Sequence, residues 1–276
     1  MRKIILSFLL LALSAKAQEP QKPIPPPAAP QKENTVPPLE VDAGSLIADQ
    51  KENSVLLKDK VEAIQGDMHL WADEVWSAAP PGTQFGFKNP KTVEAQGQVI
   101  AKTPTQKGSA DTATYEAETQ RLHLEGKEVH LIGKEQRLTS YESIDYWEED
   151  LKAIARKNVV LHAKDKVIKT EELVVLFKKN AAGRLEFSYA FSPTRVSIAT
   201  PEEIFIGDQG TYNMETGQAV LEGNVSVTHL ADQSRLFGAY ATIDMNTGVS
   251  KLYAKPPVSS TAKPVAIQGK LPKGKP

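Results

Sequence analysis

Apolar residues along the middle of this chain recur at every second position, a period that admits strands and little else. Leu122 and Leu124 alternate with Arg121 and His123, and Val129 and Leu131 alternate with Glu128 and His130. Val225 and Val227 do the same beside Ser226 and Thr228. Turn signals carrying glycine recur about every ten residues. They are Glu125-Gly126-Lys127, Thr216-Gly217, Glu222-Gly223-Asn224 and Thr247-Gly248, each expected to close a tight hairpin. Leu151–Val159 also fits helical spacing, but it aligns with Ser250-Lys251-Leu252-Tyr253 in the repeat described next, which favours a strand. The expectation is an all-β chain of about twenty short, mostly antiparallel strands.

The pattern repeats. Residues 110–126 lie over 207–223 at an offset of 97, with Asp111 on Asp208, Tyr115 on Tyr212 and Glu125-Gly126 on Glu222-Gly223. Ala72-Asp73-Glu74-Val75 meets Thr170-Glu171-Glu172-Leu173, and Ile144-Asp145 meets Ile243-Asp244, with a drift that loops absorb. A shorter beat near 31 joins Tyr115, Tyr146 and Phe177. Two units are expected, 39–163 and 164–253, continuous with one another. Residues 155–171 hold no proline or glycine at the junction and instead carry Val159-Val160-Leu161 and Val167-Ile168.

The ends differ in kind. Arg2 and Lys3, the apolar run from Ile4 to Leu13, and Ala15-Lys16-Ala17 have the form of a cleaved signal peptide over residues 1–17. The run is too short to span a bilayer core, which takes about 20 residues. Residues 18–38 hold eight prolines and are expected to be an extended spacer. Residues 254–276 carry five lysines and no acid, a tail expected to be disordered, with anionic headgroups or simple solubility as its two readings. Without cysteine there is no disulfide, no thiolate metal site and no lipid-modified cysteine. With leader and tail set aside, the body is strongly acidic, which excludes nucleic acid as a partner.

Several strings resemble a known family. Asn53-Ser54-Val55, Val61-Glu62-Ala63, Gln65-Gly66-Asp67-Met68 and Ala72-Asp73-Glu74-Val75 are similar to the OstA-like repeat of the periplasmic lipopolysaccharide-transport protein A (LptA-like) family. So are residues 109–131 and 138–155, while 165–253 resemble it more weakly. The resemblance implies an elongated V-shaped β-jellyroll whose parted sheets hold lipid A acyl chains in an apolar groove. It further implies a periplasmic location and docking, by β-strand addition, to inner-membrane and outer-membrane components of a lipopolysaccharide transport system. Head-to-tail self-association would extend such a bridge. The groove-facing candidates are Leu39, Val41, Val55, Leu57, Val61, Val99, Ala113, Tyr115, Leu122, Leu124, Val129 and Leu131. The same face could instead fill a closed sandwich core, making the chain a cell-envelope scaffold without lipid.

Other constellations carry less. Hairpin pairing across Glu125–Glu128 would set His123 opposite His130 on the outer face, a surface pair lacking the third protein ligand a zinc site wants. The acids Asp73, Glu74, Asp111, Asp145, Glu148 and Glu149 raise a paired-carboxylate glycosidase, yet most fall beside turns or on polar faces. Neither GxSxG, HExxH, a P-loop nor GxGxxG occurs, and Asn224-Val225-Ser226 is a sequon on an expected strand. The reading is a binding protein, no enzyme, with no cofactor.

Overall fold

The described residues of the computed structural model are 39–80, 90–104, 106–133, 136–163, 165–179 and 185–256. The expected leader, spacer and most of the lysine tail lie outside them. Two short strands come first, β1 (Leu39–Asp42) and β2 (Ser45–Asp49). Four long ones follow: β3 (Ser54–Gln65), β4 (Met68–Ala78), β5 (Thr92–Lys102) and β6 (Lys107–Glu116). Next are β7 (Arg121–Glu125), β8 (Val129–Ile132), β9 (Gln136–Ser140) and β10 (Ser143–Trp147). After β11 (Lys152–Ala163) and β12 (Lys166–Lys179) come β13 (Leu185–Ser192), β14 (Val196–Ala199), β15 (Glu203–Gly207) and β16 (Gln209–Asn213). The last are β17 (Gln218–His229), β18 (Arg235–Asp244) and β19 (Ser250–Tyr253). Every pairing among these 19 strands is antiparallel, so the all-β reading holds, including a strand through 152–159.

The long strands share one device. Register slips between Lys58 and Val61, Gln96 and Val99, Arg156 and Val159, and Glu222 and Val225. The two residues between are left-handed each time: Asp59-Lys60 (φ 67°, 62°), Gly97-Gln98 (78°, 47°), Lys157-Asn158 (65°, 46°) and Gly223-Asn224 (73°, 45°). Two residues thus oppose one, the geometry of a bulge, and the strand bends sharply there. At the first three bends the lone residue across the ladder is an acid: Asp73, Asp111 or Glu171. At the fourth the acid lies on the other flank, where Asp208 stands between β15 and β16. These carboxylates take up polar groups freed at the bend. Asn158 N donates to Glu171 Oε2 (3.4 Å), and Asn224 Nδ2 donates to Asp208 Oδ2 (2.6 Å).

The bends divide each long strand between two sheets. One contains β2, the first half of β3, the second half of β4, the first half of β5, the second half of β6, β7, β10, and onward to β19. The other runs through β1, the second half of β3, the first half of β4, then β8, β9, β14 and β15 to the first half of β18. Side chains from both sheets meet in three core clusters. Immediately after each bend stands a valine, Val61, Val99, Val159 or Val225, with Val129 in the matching place on β8; all five are 1% exposed or less. β11 and β12, which flank the place where the two expected units meet, pair with each other on both sides of the slip at Arg156 and Val159.

Two expectations about local structure are overturned. Glu125-Gly126-Lys127 and Glu222-Gly223-Asn224 are not hairpin turns. β7 and β8 both pair with β6, one after the other, and residues 222–224 lie at the bend inside the single strand β17. Glycine serves close approach at Gly126, where a Cβ would sit 2.8 Å from Asp111 N. Thr216-Gly217 and Thr247-Gly248 do lie between consecutive paired strands. Consequently His123 is not opposite His130. His123 pairs in register with Thr114 and Asp145, and His130 with Ser109 and Thr139, on different sheets.

Candidate functional site

Burial along the inner face grades from bend to mouth, and the gradient is steepest in the middle of the molecule. Leu124, Val129, Ala155 and Val159, beside the bends, are sealed. Two residues further out, Leu122, Leu131, Ala153 and Leu161 are half-exposed. The register places these side chains in rows, because alternate residues of paired strands stack on one face. Tyr115, Leu122, Tyr146, Ala153 and Val175 are successive partners across one sheet. Leu131, Leu138, Leu161 and Ile168 form the facing row. The two rows flank an apolar seam over a buried floor, in which Leu122, Leu131, Leu138, Ala153, Leu161 and Ile168 are half-buried while Tyr146 and Val175 are buried.

Aromatic rings stand within this middle cluster. Tyr146 meets Phe177 edge-on at 5.9 Å, and Phe177 meets Phe187 at 5.0 Å. Burial pushes the Tyr146 hydroxyl well above its ordinary range, and the Glu148 carboxylate adds to the effect, so the hydroxyl stays neutral. The arrangement can bury hydrocarbon.

The twelve sequence candidates do not all share that seam. Val55, Leu57, Val61, Val99, Leu124 and Val129 are fully buried core. Val41 lies on the edge strand β1 and is 38% exposed. Leu39 packs against the first cluster, Ala113 bridges the first and second, and Leu122 and Leu131 pack against the second. Tyr115 is half-buried at the mouth. Six candidates are therefore core, and the lip residues Leu138, Ala153, Leu161, Phe187 and Ala190 escaped the sequence reading. The same alternation, continued past Leu131 through β9 and β11, finds Leu138, Ala153 and Leu161, whereas Phe187 and Ala190 lie on β13 on either side of a register slip.

The acids mostly stand as expected, with Asp73, Asp111 and Glu149 exposed and Glu74 and Glu148 half-exposed, and Asp145 is the exception. Asp145 points from the outer face of β10 yet is 2% exposed, covered by its neighbours. Arg121 Nε donates to its Oδ1 (2.8 Å), His123 Nδ1 lies 2.7 Å from the same oxygen, and Arg156 Nη1 donates to Oδ2. Burial alone would raise its pKa, but the hydrogen bonds from His123, Arg121 and Arg156 outweigh it and hold the carboxyl below its usual range. Trp147 next to it receives Lys152 Nζ at 4.7 Å and Arg121 at 5.7 Å over its ring. This is a brace across three strands. Among the described residues there is no group of three side chains that could hold a metal.

The fold is that of a two-sheet β-protein with a half-buried apolar seam along its middle cluster. Residues 40–142 match the family described as LptA/(LptD N-terminal domain) LPS transport protein. That span includes the first core cluster and the entry strands of the second, so this part of the chain is similar to that family. No curated protein matches the chain. Among solved structures, LptH from Pseudomonas aeruginosa, described as the LptA-homologous periplasmic component of its lipopolysaccharide transport device, matches with 15% identity. The alignment covers 50% of this chain and 75% of that one, with a TM-score of 0.24.

Proposed function

We propose that this protein is a periplasmic lipopolysaccharide-binding bridge protein, sheltering acyl chains between its sheets on the way to the outer membrane. The observation that carries the reading is the half-exposed row Leu122, Leu131, Ala153 and Leu161 above a sealed floor. Each acyl methylene moved from water into such a seam gains about 0.8 kcal/mol, so no special polar residue is required. The family match over residues 40–142 supplies the lipid class. In this reading residues 1–17 direct export and are removed.

Partners would join at the ends. Among the described residues, β1 and β2 each pair only with β3, and β19 pairs only with β18. Exposed apolar side chains mark both edges: Leu46 and Ile47 at one, Leu236 and Phe237 at the other. Open edges of this kind accept a further strand, which suits inner-membrane and outer-membrane transport components or another copy. A scaffold that carries no lipid is the second reading, favoured by the six nominated groove residues that are closed core.

Mass spectrometry of an organic extract, combined with photocrosslinking, separates the two. A crosslinker at Leu161 or Leu131 should capture lipid A in intact cells, and one at Leu124 should not. Protein that extracts clean and crosslinks nothing from Leu161 is a scaffold.

A further inference from the structure

The second sheet is apolar on both sides in one place. Strands facing water on one side alternate, whereas strands covered on both sides read as unbroken apolar runs. Val159-Val160-Leu161, Val167-Ile168 and Ile204-Phe205-Ile206 are such runs, on β11, β12 and β15. Leu161, Ile168 and Phe205 pack inward. Val160, Val167, Ile204 and Ile206 therefore project outward, and all four are half-buried. They floor two adjoining hollows of about 710 and 540 Å³ that share Tyr141, Val160, Lys169 and Ser197.

The trough is lined by both acids and bases, and they differ in what they touch. Glu128 is engaged by His130 (3.2 Å), and Arg195 by Asp208 (3.5 Å). Glu171 accepts from the backbone of Asn158 (3.4 Å). The side chains of Arg137, Lys169 and His162 make no ion pair or hydrogen bond among the described residues. Register fixes two of them against the floor: His162 is opposite Val167, and Lys169 is opposite Val160.

We propose that this outer trough binds a single-chain anionic amphiphile, its hydrocarbon on Val160, Val167 and Ile204 and its phosphate or carboxylate on Arg137 and Lys169. Two cations without an ion-pair partner among the described residues, beside an aliphatic floor, complement an anionic head carried on a hydrocarbon chain. The volumes fall within the range of small-molecule sites, roughly 300–1,000 Å³. A peptide fits less well, because every strand under the trough is already paired on both sides and offers no backbone ladder. The site is separate from the inner seam and does not depend on it.

Methyl NMR of the mature full-length chain tests this, since neighbouring residues report opposite faces. Dodecyl phosphate below its micelle concentration should shift Val160, Val167 and Ile204 and leave Leu161 and Ile168 unmoved. Arg137→Gln with Lys169→Gln should weaken that binding about ten-fold or more, the loss expected of charge-assisted contacts. The exchange Arg137→Lys with Lys169→Arg should keep most of it, which guards against a merely misfolded variant. Shifts confined to Leu161 and Ile168 would place the lipid in the inner seam alone and overturn the outer site. Equal binding of dodecyl maltoside would overturn the anion requirement, and equal binding of inorganic phosphate the hydrocarbon one. An acidic peptide that outcompetes dodecyl phosphate would make the trough a protein-docking face and reject this ligand.

Discussion

The first and middle core clusters are built from the same strand device, yet the middle one has the wider half-buried margin, with nine partly buried apolar side chains packed against it and four against the first. In the first, alanine is frequent: Ala63, Ala72, Ala95 and Ala101 line the sheets beside Val55, Leu57, Val61 and Val99. Small side chains let two sheets approach closely, so that Ala63 and Ala101, two residues beyond the bend valines, stay buried. The middle cluster instead carries Tyr146, Phe177, Leu124, Ile144 and Leu173, with Leu122, Leu131, Leu138, Leu161 and Phe187 at its margin. Bulk of that order widens the margin, because interiors close-pack and rings cannot be compressed. Side-chain size at equivalent positions, Ala63 and Ala101 in one cluster against Leu131 and Leu161 in the other, therefore goes with how far the margin stays exposed.

That comparison breaks most directly at the floor. Val129→Asp would bury a carboxylate with no partner beside the bend, and the expected cost is about 4 kcal/mol or more. Leu161→Asp, at the lip of the same cluster, reaches water and should cost roughly half as much or less. Urea denaturation of the two variants decides it. Equal losses would mean that the middle cluster is as closed as the first.

The bend is the next target. At Gly97 (φ +78°) an added Cβ would lie 2.1 Å from Asp73 Oδ2, so Gly97→Val combines backbone strain with a clash. A loss of about 2–4 kcal/mol is expected from the two together. Pairing it with Asp73→Ala should recover part of the loss, because the residues share one contact. Full additivity in the denaturation cycle would show that the acid opposite the bend does not act on it.

A smaller effect is expected at Asp145. Its carboxyl is depressed below the usual value of about 3.9, so its contribution is complete above that pH and is lost as pH falls through the lower folded value. Asp145→Asn should cost about 2 kcal/mol at neutral pH, the order of charged hydrogen bonds lost with Arg121, Arg156 and His123. The gap between wild type and variant should narrow below about pH 4 in acid titration of stability. A gap independent of pH would make the brace steric.

Strand content was legible because period-two alternation survives whatever the strands do next. The bends were not. Gly126 and Gly223 read as turn residues, since hairpins, left-handed bulges and close backbone approaches all draw on glycine. What tells them apart is the acid one strand away, Asp111 or Asp208, and that neighbour exists only once the register is known. The offset that aligns Asp111 with Asp208 and Gly126 with Gly223 superimposes two such glycine–acid contacts. The shorter beat of Tyr146 and Phe177 marks adjacent levels of the inner face, where the rings touch. The candidate site was half legible for a related reason. Alternation identifies the inward face, but distance from the bend decides whether an inward residue is floor or lip. Alternation is blind to that distance, and so the buried Val55, Leu57, Val61, Val99, Leu124 and Val129 stood among the groove candidates.

Tyr115 gives the finest test, with the smallest expected change in stability. It sits at the outer end of the row running through Leu122 and Tyr146, half-buried, while Leu124 and Ile144 nearer the bend are sealed. A charge placed there can turn to water, so Tyr115→Asp should cost on the order of 1 kcal/mol, a shift of about 2–4 °C in a domain of this size. The same charge would stand at the mouth of the seam, where an acyl chain must lose water to enter, and retention of lipid should fall sharply. Thermal melting and lipid content measured on one preparation separate the effects. A melting loss as large as that of Val129→Asp would move Tyr115 from lip to core. Unchanged melting with unchanged lipid would move the acyl path away from this row and toward Leu138 and Leu161.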